Sequence, residues 1–220
     1  MKQTHDEPAR NTSISRRLFL QGFGTAAVTA MTSGATALAA DLEQTNAERV
    51  RGPGRTSVSF TLNGERVQVL AEPRETLLDV LRMQLGHTGA KEGCDRGACG
   101  ACTVLLDGQP VNACMRLAVD AAGTRVETVE GLAANGELTA VQRAFIAADG
   151  LQCGYCTPGF VMVVTALLRA NPHPSADEIR RACSGNLCRC GSHPHIVNAA
   201  LRAAGATTTS AAEIIHLDHV

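Results

Sequence analysis

The residues best suited to chemistry in this chain are its nine cysteines, three of which lie in one glycine-rich stretch. The stretch reads GCDRGACGACTV, from residue 93 to residue 104, and contains Cys94, Cys99 and Cys102. Cys114 follows after eleven intervening residues. This C-x4-C-x2-C…C arrangement is the spacing of plant-type [2Fe–2S] centres. We therefore expect these four cysteines to bind one such cluster.

Glycines in this stretch favour the same interpretation. Gly93, Gly97 and Gly100 let a short loop adopt the backbone angles needed to turn several thiolates toward one centre. They also let backbone N–H groups approach the sulfurs and stabilise their negative charge. Structural zinc is the alternative, since four thiolates suit it equally well, but zinc sites commonly use paired CxxC knuckles.

A second group of cysteines lies further along the chain. QCGYCTPG contains Cys153 and Cys156, and SGNLCRCG contains Cys188 and Cys190. The first motif directly precedes a predicted helix and the second lies between two predicted helices, so the two can meet at one end of a bundle. A CxxC pair alone also occurs in thioredoxin-like proteins, but no βαβ pattern precedes this one. We expect a second four-thiolate site.

The ninth cysteine and two histidines are expected to lie outside these sites. Cys183 is four residues after Ile179 on one predicted helical face, which favours a buried apolar role. His193 and His195 follow the CxC motif and suggest a Rieske-type pair. Because eight cysteines already complete two sites, surface or core histidines are the preferred interpretation.

Composition excludes several other functions. The net charge is −1, which gives no basic field for nucleic acid, and five Phe with one Tyr provide no stacking platform for bases. No GxGxxG dinucleotide fingerprint and no nucleophile–base arrangement is present. Substrate chemistry is therefore not expected on this chain.

The elements that must position the cysteines change character along the chain. Residues 56–62 and 65–70 alternate in polarity around Asn63-Gly64, which predicts a hairpin. A helix is predicted over 76–85, and three short strands follow the first cysteines, giving a small mixed sheet with one helix across it.

After Gly131 the pattern becomes helical and predicts a four-helix bundle. Thr157 is the expected N-cap of a helix over 158–170, and Ser175 with Glu178 forms a capping-box pattern. The predicted organisation is a signal over 1–40, a linker over 41–55, a sheet domain over 56–130, a helical domain over 131–205 and a tail over 206–220.

The first forty residues resemble a twin-arginine (Tat) export signal. Arg16 and Arg17 precede a weakly apolar run, which ends at a small-residue cleavage site around Ala37 and Ala39. A chance Arg-Arg pair in a disordered tail is the alternative. Tat export carries folded proteins, so a metal centre could be assembled in the cytoplasm before the chain reaches the periplasm.

Taken together, GCDRGACGACTV, QCGYCTPG and SGNLCRCG, in that order, resemble the small iron–sulfur subunit of the xanthine oxidase (molybdenum hydroxylase) family. The resemblance covers residues 56 to about 204 and, with the Tat-like signal, points toward periplasmic aldehyde oxidoreductases. It implies an α+β fold, in which a ferredoxin-like β-grasp domain precedes a four-helix-bundle domain, each holding one [2Fe–2S] cluster.

The family resemblance also implies ligands and partners. The implied ligands are Cys94, Cys99, Cys102 and Cys114 for the first cluster, and Cys153, Cys156, Cys188 and Cys190 for the second. Gln152 matches a position that approaches the molybdopterin of a large partner subunit. Tyr155 stands where phenylalanine is frequent, and His193 where an aromatic residue is usual.

The implied function is electron transfer. Electrons would pass from the molybdopterin centre of the large subunit through both clusters to an FAD-binding medium subunit or a cytochrome. The competing hypotheses are a free-standing periplasmic [2Fe–2S] carrier and a zinc- or disulfide-stabilised interaction protein.

Overall fold

The computed structural model describes residues 52–133 and 135–205. The predicted signal and the predicted tail lie outside these residues, as does most of the predicted linker. No helix in the described part of the chain has both the length and the apolar character needed to cross a bilayer.

The first half forms a five-stranded mixed sheet in the order β2-β1-β5-β3-β4. Its strands are β1 (Thr56–Leu62), β2 (Glu65–Ala71), β3 (Thr103–Leu106), β4 (Gln109–Asn112) and β5 (Arg125–Glu127). All neighbours pair antiparallel except β1 and β5, which are parallel. Asn63 and Gly64 both have positive φ, so the predicted β1–β2 hairpin is confirmed with a two-residue turn.

One short helical segment packs against this sheet. Helix α1 (Leu77–Asp79) begins at Thr76, whose hydroxyl and backbone N–H form a capping box with Asp79. The predicted α-helix over 76–85 is confirmed only in part, because Val80–Gln84 is a π-helix. Apolar spacing does not separate the two forms, since either one buries Leu81 beneath the sheet.

The second half contains four α-helices, as predicted. They are α2 (Ala140–Ala147), α3 (Thr157–Ala170), α4 (Ala176–Cys183) and α5 (His193–Ala203). Ser175 and Glu178 form the predicted capping box of α4. The prediction that Thr157 caps α3 is wrong: Cys156 is the N-cap, and Thr157 Oγ1 is buried with no hydrogen-bond partner among the described residues.

Two apolar cores meet at strand β3. Val104 belongs to the core between the sheet and α1, whereas Leu105 belongs to the core of the four helices. Successive side chains of a strand point to opposite faces, so β3 is packed on both sides. Arg169 of α3 adds a bidentate ion pair with Glu127 of β5, at 3.0 and 2.9 Å. The cysteine-bearing loops of the two halves are thereby held against each other.

The close packing between the sheet half and the helical half predicts the effect of substituting Gly159. A Cβ at Gly159 of α3 would lie 2.3 Å from the Gly100 carbonyl oxygen, whereas a Cβ at Gly185 would have nothing within 4 Å. We expect Gly159→Ala to lower stability by about 1–3 kcal/mol through overpacking. Thermal unfolding followed by circular dichroism should give a lower midpoint for Gly159→Ala than for the control Gly185→Ala. Equal midpoints would contradict this close packing.

Candidate metal centres

All nine cysteines are free thiols in the structure. No disulfide bond is therefore present among the described residues, although the sequence contains CxxC and CxC pairs. Cys102, Cys114 and Cys183 are buried, whereas Cys153 and Cys190 are exposed. The remaining cysteines are partly buried, so both predicted groups lie at the protein surface with some sulfurs reaching inward.

The first predicted group is gathered by a loop and a short helix. Residues 93–102 form the loop that leads into β3, and Cys114 lies on the 3-10 helix Ala113–Met115 that follows β4. The Cys94 thiol interacts with that of Cys99, and the Cys102 thiol with that of Cys114. Cys102 also lies within electrostatic range of Cys99, so the structure brings these four predicted residues together.

Backbone donors approach this group, as the glycine content predicts. The Gly97 N–H donates to Cys114 Sγ at 3.3 Å, and the Ala98 N–H donates to Cys94 Sγ at 3.2 Å. Gly97 and Gly100 have φ of +72° and +67°, and Asp95 also has a positive φ of 53°. The left-handed turns aim N–H groups at sulfur, which stabilises negative charge there.

The thiols of this group differ in acidity. A hydrogen bond from the Arg96 backbone lowers the pKa of Cys94 to about 7, with further help from Cys99 and Ala98. Burial raises the pKa of Cys102 to about 12. An inward-facing thiol of this kind becomes a thiolate when a bound cation supplies compensating positive charge. The donor set therefore fits a ferric cluster.

The second predicted group lies around the N-terminus of α3. Cys153 and Cys156 precede this helix, and Cys188 and Cys190 lie between α4 and α5. The Cys156 thiol interacts with that of Cys188 and with the charge of Cys153. The exposed Cys190 is close in sequence to Cys188, whose sulfur accepts a hydrogen bond from the Cys190 backbone. The structure thus assembles Cys153, Cys156 and Cys188, with Cys190 beside them.

The same contrast in acidity recurs here. Burial, together with the neighbouring Cys188, raises the pKa of Cys156 to about 12. Burial also acts to raise the pKa of Cys188, but hydrogen bonds from Ser192 outweigh it, so the pKa of Cys188 is lowered. One of these is the Ser192 N–H, 3.4 Å from Cys188 Sγ. A buried thiol beside a hydrogen-bonded one again suits thiolates neutralised by metal.

The cysteines of the first group interact as two pairs, Cys94–Cys99 and Cys102–Cys114. A [2Fe–2S] cluster spreads its four thiolates over two irons, so this paired arrangement fits such a cluster.

Cys183 and the two histidines predicted to lie outside the sites make structural contacts. Cys183 is buried in the helical core, and burial raises the pKa of its thiol to about 11. The ring of His193 packs edge-on against Phe160 of α3, and His195 Nδ1 lies 3.1 Å from the Ala148 carbonyl oxygen. These contacts are those of structural histidines. Gln152 is exposed beside Cys153, at the surface.

Sequence reasoning did not foresee two residues that connect the cysteine groups. The Asn186 side chain donates to the Gly100 carbonyl oxygen at 2.9 Å, and the Tyr155 hydroxyl donates to the Glu92 carbonyl oxygen. These partners are more than sixty residues apart in the chain, so no local pattern reveals the contacts. The sequence offered one indication of a role for Asn186: it lies within the SGNLCRCG motif, directly before Leu187 and Cys188.

Two protein-family models match this chain. The family model described as "2Fe-2S iron-sulfur cluster binding domain" matches residues 60–132, and the model "[2Fe-2S] binding domain" matches residues 128–201. The nicotine 6-hydroxylase small subunit of Paenarthrobacter nicotinovorans is 47% identical over 151 residues, covering 69% of this chain and 91% of that protein.

Two further proteins extend the comparison. The aldehyde oxidoreductase iron-sulfur-binding subunit PaoA of Escherichia coli K12 is 38% identical over 208 residues, which cover 88% of this chain and 89% of PaoA. A chain of quinoline 2-oxidoreductase from Pseudomonas putida 86 superposes with a TM-score of 0.65 at 42% identity, covering 76% of this chain and 99% of that one.

The protein therefore belongs to the small iron–sulfur subunits of the molybdenum hydroxylase family, confirming the resemblance read from its three cysteine motifs. It is an electron-transfer subunit of a multi-subunit oxidoreductase, and its cofactors are [2Fe–2S] clusters.

The first cysteine loop predicts the effect of Gly97→Ala. A Cβ at Gly97 would meet Met115 Cγ at 2.8 Å and would strain a φ of +72°, displacing the N–H that donates to Cys114. We expect iron to fall from about four toward about two atoms per chain. Gly108→Ala is the control, since Gly108 has a φ of +82° but open space around it. Iron assay should separate the two; equal iron contents would refute the role of Gly97.

Proposed function

We propose that this chain is the electron-transfer subunit of an exported, aldehyde-oxidising molybdenum hydroxylase. The observation that carries the proposal is the clustering of two groups of free thiols, each combining buried or partly buried cysteines with backbone N–H donors. Such a donor set suits anionic iron–sulfur clusters.

The proposed ligands are the predicted ones. Cys94, Cys99, Cys102 and Cys114 hold the first cluster, and Cys153, Cys156, Cys188 and Cys190 hold the second. Two domains supply them: a ferredoxin-like β-grasp domain over 56–130 and a four-helix domain over 131–205. The five-stranded sheet and the four helices support this division.

In electron transfer, this chain positions the clusters and tunes their reduction potentials. When bound, each [2Fe–2S] cluster accepts and releases single electrons. The N–H groups of Gly97, Ala98 and Ser192 stabilise negative charge on ligand sulfurs, which is one of the factors that set a reduction potential. Different burial of Cys153 and Cys102 gives the two sites different solvent exposure, which is another.

Two kinds of partner subunit are proposed to contact exposed surfaces of this chain. A large molybdopterin-binding subunit would contact the surface around Gln152 and Cys153, both of which are exposed. An FAD-binding medium subunit or a cytochrome would accept the electrons. Both partners are inferred from what the family does. The sequence of this chain contains no GxGxxG dinucleotide fingerprint.

An aldehyde is the proposed substrate of the complex because of the extent of one match. Similarity to the E. coli aldehyde oxidoreductase subunit spans 88% of this chain and thus extends beyond residues 52–205, whereas the nicotine 6-hydroxylase subunit covers 69%. Part of the predicted export signal is therefore included in the similarity to an aldehyde-oxidising relative. Arg16, Arg17 and the apolar run after them support export through the Tat machinery to the periplasm.

The decisive experiment is metal analysis with EPR. The chain without residues 1–40, purified anaerobically, should contain about four iron and four sulfide and give two distinct reduced [2Fe–2S] signals. One signal with half the iron would favour the free-standing carrier. Zinc or no metal would refute electron transfer by this chain.

Single cysteine substitutions test the ligand assignment. Cys188→Ala should reduce iron to about two atoms per chain, because a ligand of the second cluster is lost. Cys183→Ala is the matched control: it lies on the adjacent α4, is buried among apolar residues and should leave iron unchanged. Iron loss from Cys183→Ala with retention in Cys188→Ala would overturn the assignment.

A pair of arginines tests export. Replacing Arg16 and Arg17 by lysine keeps the charge but removes the twin-arginine pattern. We expect the substituted precursor to remain in the cytoplasm of a Tat-competent bacterium with its clusters loaded, whereas the natural sequence reaches the periplasm. Immunoblots of the two fractions measure this. Equal periplasmic amounts would contradict the Tat proposal.

A further inference from the structure

The loops that carry the two cysteine groups meet directly at one buried contact, which we term the loop junction. It consists of Cys99 and Gly100 from the first loop and Thr103 at the start of β3, with Asn186 and Leu187 from the second loop. The Leu187 N–H donates to the Cys99 carbonyl oxygen at 2.9 Å. Cys99 is itself a predicted ligand and Leu187 directly precedes another, Cys188, so the junction joins the two sites by a few bonds.

The Gly100 carbonyl oxygen is the centre of the loop junction. It accepts from the Thr103 N–H at 3.1 Å, from Thr103 Oγ1 at 2.7 Å and from Asn186 Nδ2 at 2.9 Å. Asn186 Nδ2 also lies 3.4 Å from Thr103 Oγ1. Asn186 is only 5% exposed, so its carboxamide has exchanged water for these partners.

Close backbone approach makes the loop junction intolerant of displacement. A Cβ on Gly100 would lie 2.6 Å from the Asn186 side chain and from the Gly185 carbonyl oxygen, and one on Gly159 would lie 3.0 Å from Asn186 Nδ2. Two glycines, Gly100 and Gly159, therefore permit close approach to this one asparagine. A close-packed interior of this kind has little freedom to adjust.

We propose that Asn186 is a positioning residue that fixes the separation and orientation of the two cysteine groups. Its carboxamide holds the carbonyl between Cys99 and Cys102, while the following two residues deliver a backbone hydrogen bond and Cys188. Tyr155, in the separate QCGYCTPG loop, donates to the Glu92 carbonyl oxygen just before the first loop, but it is half-exposed and water competes for this contact. The buried Asn186 therefore carries the constraint. This inference rests on the proposed two-cluster function.

The test compares Asn186→Ala with Asn198→Ala. Asn198 is a buried asparagine of similar exposure, 7%, on α5, and its Oδ1 has no hydrogen-bond partner among the described residues. Both variants are purified anaerobically, fully reduced with dithionite and examined for the magnetic dipolar coupling between the two reduced clusters by EPR. That coupling falls with the cube of the distance, so it reports separation independently of activity.

We expect Asn186→Ala to retain iron and sulfide at the level of the natural chain but to lose its single well-defined dipolar splitting, which should become smaller and more widely distributed. Asn198→Ala should retain both. Unchanged splitting in Asn186→Ala would overturn the inference. A natural chain with fewer than two reduced signals would instead refute the proposed function, so the two failures are distinguishable.

A second variant covers loss of folding or metal. If Asn186→Ala does not fold or does not bind its clusters, Thr103→Val provides the test. This substitution removes the hydroxyl that donates to the Gly100 carbonyl oxygen while keeping a β-branched residue in strand β3. The same change in splitting, with iron retained, is expected for it. Retained iron with the splitting of the natural chain would overturn the inference.

Discussion

The constraint on which this structure depends is the gathering of negatively charged sulfurs onto two short stretches of backbone. Thiols that reach inward, such as Cys102 and Cys156, have a pKa near 12 because burial disfavours their charged form. Outward thiols such as Cys94 and Cys188 have a lowered pKa because backbone N–H groups donate to them. Ferric iron bound by these sulfurs would balance both kinds of thiol at once. The glycines, the left-handed turns and the short helix that carries Cys114 all follow from that requirement.

The rest of the fold holds these loops in place. Strand β3 begins where the first loop ends, and its side chains enter the sheet core on one face and the helical core on the other. Helix α3 follows its N-cap Cys156 and packs against the same strand, and its Gly159 closely approaches the Gly100 carbonyl oxygen at the end of the first loop. Because one strand and one helix each continue directly from a cysteine loop, the apolar packing between the halves also determines how the two sites face each other.

Such an architecture suits a chain whose task is to pass electrons and not to transform a substrate. Two ionisable groups away from the cysteines are engaged in structure: Glu130 accepts from the Gly89 N–H at 2.7 Å, and Arg169 pairs with Glu127. The exposed Gln152 and Cys153 lie where a partner can approach closely. In the proposed complex, substrate chemistry belongs to another subunit, and this chain contributes the distance, orientation and local charge of the cysteine groups.

The sequence by itself determined the cysteine groups, the hairpin at Asn63-Gly64, the capping box at Ser175 and the buried role of Cys183, because each depends on local spacing or local hydrogen bonding. It did not determine the π-helical turn after Asp79, since apolar spacing is similar in both helix types. Nor did it determine that Cys156 caps α3, because Thr157 was the conventional choice. Only the tertiary structure decided the meeting of Asn186 with Gly100, eighty-six residues apart, because long-range packing brings them together.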